Sequence, residues 1–405
     1  MNKFCKILLS VIFVATINFA QSTPYVILVS FDAFRWDYVN REITPSLREV
    51  MTKGVHALSL RPVFPSKTFP NHYSIITGMY SENHGIIANG FLDTLTNVWY
   101  SMSDTVTTRE SKWYTGEPFW TAAEKHGIKT ASYFWPGSEQ TDSLRHPTYF
   151  KKYEHNKPYF ERVDSVISWL QLPQNVRPHF ITIYFHDTDS FGHEFGPDSD
   201  ELNRSVMRLD SVAQYLLTCL KKINMIDSVN VIFTSDHGMT PTPNDQVINI
   251  EKYIENYNCK IYDNGPVVRV EPEANEIDTV FQILKRNANN FRVYKKENLP
   301  SYYHYSNNTL ISSIILIADL GWSLEDNEGF KRSGYLSKGN HGYEKDHTDM
   351  HGIFIAQGPA FKEHYKTGTL WNVDIYPLLS KIFGIKQNSL IDGKLERIEF
   401  ILREN

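Results

Sequence analysis

The sequence predicts an α/β protein whose core is a mainly parallel sheet with helices on both faces. Short apolar runs rich in β-branched residues recur along the chain, and amphipathic stretches of helical period lie between them. Strands that read as continuous apolar runs are buried on both faces, and helical crossovers make neighbouring strands parallel. Composition agrees: the 405 residues are 41% hydrophobic and 21% charged, which supplies a large core and excludes a disordered chain.

The elements follow in order. Lys3 and Lys6 precede a largely apolar run, Ile7 to Ala20, with a small residue before Gln21. That is the layout of a secretory signal, short for a membrane span, with an uncleaved anchor as the alternative reading. We therefore expect residues 1–20 to be a signal peptide, 21–405 to be the mature unit, and the chain to be secreted or periplasmic without a transmembrane anchor. The mature chain opens on Tyr25–Phe31, YVILVSF, as the first strand. Further strands are expected at Lys129–Trp135, His179–Phe185, Val229–Ser235 and Gly352–Ala356, with helices at Pro45–Lys53, Trp120–His126, Phe160–Leu170 and Leu202–Ile223. After Cys259 the texture changes to VVRV, a helix-like Glu273–Asn287, FRVYKK, an aromatic loop from Leu299 to Ser306 and ISSIILIADL. This reads as an inserted α+β subdomain over about residues 260–335.

Charge and cysteine content narrow the function classes. Lys and Arg number 41 against 46 Asp and Glu, a net charge of −5, which speaks against a nucleic-acid-binding surface. Signal cleavage would remove Cys5 and leave Cys219 and Cys259, a pair that an oxidising compartment would allow to bridge. Cys219 lies in an apolar-periodic stretch and reads equally as a buried thiol.

The chemistry-bearing residues fall past strand ends or in adjoining loops, where open parallel sheets place their sites. Asp32 follows the first strand at once. Asp189 and His193 are four apart after HFITIYF, spaced to face one point on a helical turn or a compact loop, and Gly192 with Gly196-Pro197 favours the loop. Asp236 and His237 close the strand Val229–Ser235, and Gly238 permits the chain to turn so that both face one centre. His341 stands between Gly339 and Gly342, with His347 and His351 close by. Thr68, in Pro65 to His72, is either a helix cap or a nucleophile lying against a metal. Asp and neutral His suit zinc. Three carboxylates converging without a cation would repel, whereas two divalent ions bring +4 against three aspartates and a threonine alkoxide. Two metals about 4 Å apart hold both the attacking and leaving oxygens of a phosphoryl transfer.

Together the segments FDAFRWDY, FPSKTFPNHYSIITGMY with HGIIAN, YFWPGS, DSFGHEFGP, TSDHGM and GNHGY with IFIAQGPAF resemble the nucleotide pyrophosphatase/phosphodiesterase family of the alkaline phosphatase superfamily. The resemblance implies an alkaline-phosphatase-like core and two zinc ions, one held by Asp189, His193 and His341, the other by Asp32, Thr68, Asp236 and His237. It implies Thr68 as nucleophile and Asn89 as stabiliser of charge on the phosphoryl oxygen. Phe69 and Tyr153 match rings that sandwich a nucleobase, and Tyr184 matches a further pocket residue. Members often carry Pro where Thr188 stands, and Asp-Asn where Glu344-Lys345 stands.

The leading expectation is a secreted zinc phosphodiesterase that releases nucleoside monophosphates from a nucleotide or other phosphodiester small molecule through a phospho-threonine intermediate. Two alternatives keep the metals. One takes phospholipid-type diesters, with the loop Tyr302–Tyr305 lining an apolar groove; the other is an alkaline-phosphatase-like monoesterase. A non-catalytic extracellular metal or carbohydrate binder would leave an intact nucleophile unexplained.

Overall fold

The computed structural model of the chain describes residues 23–332, 334, 336–387 and 390–404. The expected signal peptide, residues 1–20, and Cys5 within it lie outside the described residues.

In chain order the principal strands are β1 (Tyr25–Phe31), β2 (Val55–Ala57), β3 (Thr130–Tyr133), β4 (Tyr149–Lys151), β5 (Phe180–Phe185), β6 (Val229–Thr234), β7 (Cys259–Tyr262), β8 (Val267–Pro272), β9 (Phe291–Lys295), β10 (Ile314–Ala318), β11 (Phe354–Gln357) and β12 (Tyr365–Thr367). The helices used below are α1 (Pro45–Lys53), α2 (Thr68–Thr77), α3 (Phe119–Lys125), α4 (Tyr159–Leu170), α5 (Asp187–Phe195), α6 (Asp200–Lys222), α7 (Ile277–Arg286) and α8 (Ile375–Phe383). Eight strands form the central sheet in the order β12–β2–β11–β6–β1–β5–β3–β4. β1 pairs in parallel with both β5 and β6. β11 alone runs against its neighbours.

Alternation along β1 shows why both faces are covered. Val26 and Leu28 point into a core built with Ile75 and Ile76 of α2, Phe119 and Trp120 of α3, and Leu378 and Leu379 of α8. Ile27, Val29 and Phe31 point the other way, into a core built with Leu47 and Val50 of α1, Val163 and Val166 of α4, and Leu209 and Leu216 of α6. A strand buried on both sides needs apolar residues at nearly every position, and YVILVSF supplies them at all but Ser30, whose buried hydroxyl pairs with His72 Nε2 at 2.8 Å. Local signals set the helix ends. The Ser199 side chain accepts from Leu202 N at the start of α6, where Asp200 and Glu201 meet the positive end of the dipole. α2 stops at Gly78, whose φ of 67° is the left-handed conformation that glycine takes freely.

Residues 259–318 form a second, antiparallel sheet in the order β7–β8–β10–β9. One face packs Val268, Val270, Val293 and Leu316 under Val280 and Leu284 of α7. The other face, with Val267, Ile315 and Ile317, joins the same core as α2. The loop Tyr302–Tyr305 belongs to that junction: Tyr303 and Tyr305 are buried, with ring centroids 4.8 and 5.2 Å from Phe64. Cys219 and Cys259 are free thiols, so the disulfide that the sequence allowed is not formed. No helix among the described residues is long and apolar enough to cross a membrane.

Candidate active site

Every segment singled out in the sequence reaches one end of the central sheet. Asp32 is the residue after β1, and its backbone N–H donates to Phe185 O at the end of β5. Asp189 and His193 sit one turn apart on α5, a helix where Gly192 and Gly196-Pro197 had favoured a loop; the glycine-proline pair ends the helix instead of opening a loop. Asp236 and His237 follow β6, where the chain leaves the sheet. Gly238 is required there by crowding, since a Cβ would lie 2.1 Å from Asp349 O and 2.7 Å from His351 O. His341 is carried in by a two-residue strand, Gly339–Asn340, paired with Thr240–Pro241 just beyond His237. Thr68 is the first residue of α2.

The side chains gather in two adjoining groups. In the first, Asp189 Oδ1 lies 3.3 Å from His193 Nε2 and 3.4 Å from His341 Nε2, and the two imidazole Nε2 atoms are 3.2 Å apart. In the second, His237 Nε2 lies 3.0 Å from Asp236 Oδ2, 3.5 Å from Asp32 Oδ1 and 3.3 Å from Thr68 Oγ1. Ligand atoms of Asp189, His193 and His341, and of Asp32, Asp189 and His237, fall within 4.8 Å of one another.

Two observations show that these groups fit metal ions. Each histidine engages a backbone carbonyl through Nδ1: His193 to Gly339 O at 2.9 Å, His237 to Gly238 O at 2.8 Å, and His341 to Ser66 O at 2.9 Å. Those bonds place the proton on Nδ1 and turn the Nε2 lone pairs inward, as the outer hydrogen bond of a metal-bound imidazole usually does. Facing lone pairs at 3.2 Å cannot satisfy each other. Asp32 Oδ1, Asp189 Oδ1 and Asp236 Oδ2 are moreover buried without hydrogen-bond partners among the described residues. Oxygens buried in that way are costly unless a cation meets them.

The protonation pattern carries the same strain. Burial, then the charges of Asp236 and Asp189, push Asp32 well above the usual carboxylate range. Burial would also raise Asp189 and Asp236, but His193 and His341 around the first, and His237 and His72 around the second, hold both below that range. Burial and the neighbouring His237 hold His341 well below the ordinary imidazole value.

A cleft of about 380 Å³ opens beside these groups, and Asp32, Thr68, Phe69, Tyr153, Tyr184 and Asp189 all line it. Tyr184 also donates from its hydroxyl to Asp32 Oδ2 at 2.5 Å, so it positions a carboxylate as well as forming a wall. Asn89 Oδ1 accepts from Phe69 N–H at 3.0 Å, which fixes its amide against the first turn of α2. Thr188, where Pro is common in the resembled family, donates from Oγ1 to Asp32 O. Glu344 accepts from the hydroxyls of Tyr302 and Tyr303 and thereby ties the second sheet to the His341 loop.

His351 and His347 take no part. His351 is occupied by Ser59 Oγ and Lys345 O, and His347 is exposed. Sequence reasoning missed His72, whose Nδ1 lies 3.3 Å from Asp236 Oδ2; its spacing of four from Thr68 on one helix was the available signal. It also missed the far wall of the cleft, where Arg109 donates to Glu139 Oε2 at 3.0 and 2.7 Å and Glu139 Oε1 accepts from Tyr153 N–H. Residues 102–109 have no hydrophobic period that would have marked them.

Residues 26–344 match the model of the type I phosphodiesterase / nucleotide pyrophosphatase family. The chain is 38% identical over 367 residues to the bis(5′-adenosyl)-triphosphatase of Xenopus laevis, covering 90% of this chain and 79% of that protein. It is 35% identical over 371 residues to ectonucleotide pyrophosphatase/phosphodiesterase family member 5 of Homo sapiens, covering 91% and 76%. The solved murine ectonucleotide pyrophosphatase/phosphodiesterase 5, an inactive threonine-to-alanine variant in complex with AMP, superposes with a TM-score of 0.89 at 31% identity, covering 94% of this chain and 100% of that one.

Proposed function

The chain belongs to the type I phosphodiesterase / nucleotide pyrophosphatase family and is a phosphodiester hydrolase; on that premise we propose a secreted, two-zinc nucleotide pyrophosphatase/phosphodiesterase that releases nucleoside monophosphates through a phospho-threonine at Thr68. The observation that carries the proposal is the placing of the Thr68 hydroxyl, 3.3 Å from His237 Nε2, between two carboxylate–imidazole groups and an aromatic cleft.

Asp189, His193 and His341 would hold one zinc; Asp32, Thr68, Asp236 and His237 would hold the other. When bound, the ions supply Lewis-acid charge to the attacking and leaving oxygens. Thr68 Oγ1 attacks phosphorus, forming an Oγ1–P bond as the P–O bond to the leaving group breaks; water then cleaves the Oγ1–P bond and frees the monophosphate. Thr68 begins α2, so the positive end of the helix dipole lies where phosphoryl charge concentrates. The Asn89 amide donates to a phosphoryl oxygen. Phe69 and Tyr153 stack on the base, a contact every base can make. The inactivity of the murine threonine-to-alanine variant supports a threonine nucleophile here.

The charge balance favours diesters. Two zinc ions are offset by three aspartates and the threonine alkoxide, so little positive charge is left for the extra charge of a monoester. The arginine that lines the cleft, Arg109, is engaged by Glu139. The test compares a nitrophenyl ester of thymidine monophosphate with nitrophenyl phosphate at equal zinc and pH. The diester should give the higher kcat/KM, and equal or reversed values would assign a monoesterase. A strong chelator should abolish turnover and zinc should restore it; full activity in metal-free protein, verified by elemental analysis, would refute zinc dependence. The lipid alternative has the weaker support, because Tyr303 and Tyr305 of the loop Tyr302–Tyr305 are buried against Phe64.

A further inference from the structure

The two ligand groups stand on separate loops, and a pair of residues with no assigned part in the chemistry joins those loops from below. Arg35, three residues past Asp32, is 7% exposed. Its Nε donates to Asp37 Oδ1 at 2.5 Å and its Nη2 to Asp37 Oδ2 at 3.1 Å. Nη2 also donates to Asp198 Oδ1 at 2.8 Å, in the loop that leaves the helix of Asp189 and His193. Nη1 donates to Met239 O at 3.1 Å, two residues beyond His237. One planar guanidinium thus spans the three segments that carry Asp32, Asp189 with His193, and Asp236 with His237.

The fourth segment enters through the Met239 side chain, which is fully buried. A Cβ on Gly192, the residue before His193, would lie 2.8 Å from Met239 Sδ. A Cβ on Gly339, two before His341, would lie 2.9 Å from the same sulfur and 2.6 Å from Gly192 O. The thioether is therefore wedged between the helical turn bearing His193 and the strand bearing His341. Gly339 is required by this close approach, since a Cβ there would meet the Gly192 carbonyl oxygen, while at Gly192 a Cβ would have to displace the Met239 thioether.

We propose that Arg35 is a positioning residue that sets the separation of the two metal-ligand groups, with Met239 as the wedge it holds in place. The inference rests on the two-zinc reading above. A guanidinium serving loop stability alone would be bonded within its own loop. Here only the Asp37 bonds are local, and the other two reach segments 163 and 204 residues away. Direct hydrogen-bond partners of metal ligands typically change metal affinity about 10- to 100-fold when removed, which bounds the effect of a residue acting one bond further out.

The experiment measures zinc affinity by chelator competition and the visible spectrum of the cobalt(II)-substituted protein, with circular dichroism and Tm as fold controls. The proteins are wild type, Arg35→Gln and Asp198→Asn. The Asp198 side chain is 62% exposed, so its variant removes the charge from the bonds of Arg35 and Arg41 to Oδ1, and weakens the tie, without opening the core. We expect wild type to bind two zinc ions and Arg35→Gln to bind zinc more weakly, by about 10-fold, the lower end of that range, with an altered cobalt spectrum. Asp198→Asn should shift both readouts in the same direction by less. Folded Arg35→Gln with wild-type affinity and spectrum overturns the proposal. Should Arg35→Gln not fold, unchanged zinc affinity and spectrum in Asp198→Asn overturns it alone. A wild type that binds no zinc overturns the metal reading itself, a separate and distinguishable result.

Discussion

At the scale of single residues, the site divides the histidines by what their second nitrogen does. His193, His237 and His341 spend Nδ1 on backbone carbonyls and present Nε2 to the carboxylates. His351 spends both nitrogens on protein partners. His341→Ala should therefore lower zinc content and rate, while His347→Ala and His351→Ala should leave the metals in place; elemental analysis of the three purified variants decides. Loss of a metal from His347→Ala with a harmless His341→Ala would reverse the assignment. Thr68→Ala should lose at least ~10³-fold in kcat, since removing a nucleophile leaves only the binding and electrostatic terms, while metal remains bound through the other ligands. Net retention of configuration at phosphorus should accompany wild-type turnover, and inversion would mean direct attack by water. Phe69→Ala should weaken nucleotide use by about 1–3 kcal/mol, the worth of one base–aromatic stack. An unchanged nucleotide rate would remove Phe69 from base binding.

At the scale of elements, the same sequence features that made the fold legible explain where reading stopped. β1 coincides with the predicted Tyr25–Phe31 and α1 with Pro45–Lys53, because an unbroken apolar run and a strong amphipathic period leave no competing structure. α5 was masked by its glycines. Gly192 reads as a loop signal, yet it is small because Met239 Sδ presses against it, a contact between residues 47 apart that no local pattern encodes. The polar wall of the cleft was likewise invisible, since Arg109 and Glu139 meet only once the chain between them has folded. Gly238 shows another case, a glycine read as permitting a turn that lies outside the left-handed region and is needed for space instead. It leaves room for two carbonyls of the 349–351 segment. Gly238→Ala should cost about 1–3 kcal/mol by overpacking, at the upper end because the obstructing atoms are backbone. It should also loosen zinc, since His237 precedes it. A Tm and zinc affinity within error of wild type would show that the two segments can part freely.

At the scale of the whole molecule, stability should depend on pH through histidines that are buried as neutral groups away from the metals. His84 accepts from Ile86 N–H at Nδ1, and its Nε2 is shared between Ser74 Oγ and Pro70 O; no carboxylate faces it. Burial pushes it down to about 3, and burial likewise pushes His351 down to about 4. Above the ordinary imidazole value, about 6.5, these groups are neutral in both the folded and the unfolded chain and contribute nothing to the pH dependence. Below it the unfolded chain takes up protons that the native chain refuses until about pH 4 at His351 and about pH 3 at His84. The unfolded state then binds more protons, so stability falls as pH falls through that window. Zinc ligands lose their metal in the same direction, so wild type alone cannot separate the two causes. The difference between wild type and His84→Gln at equal zinc can. The variant should be the less stable protein at pH 7.5, where it forfeits hydrogen bonds at no protonation gain. Its deficit should shrink as pH is lowered to 5, because glutamine has no proton to take up on unfolding. Denaturant midpoints that run parallel for the two proteins from pH 7.5 to 5 would show that His84 carries a proton in the folded state, against the burial that surrounds it.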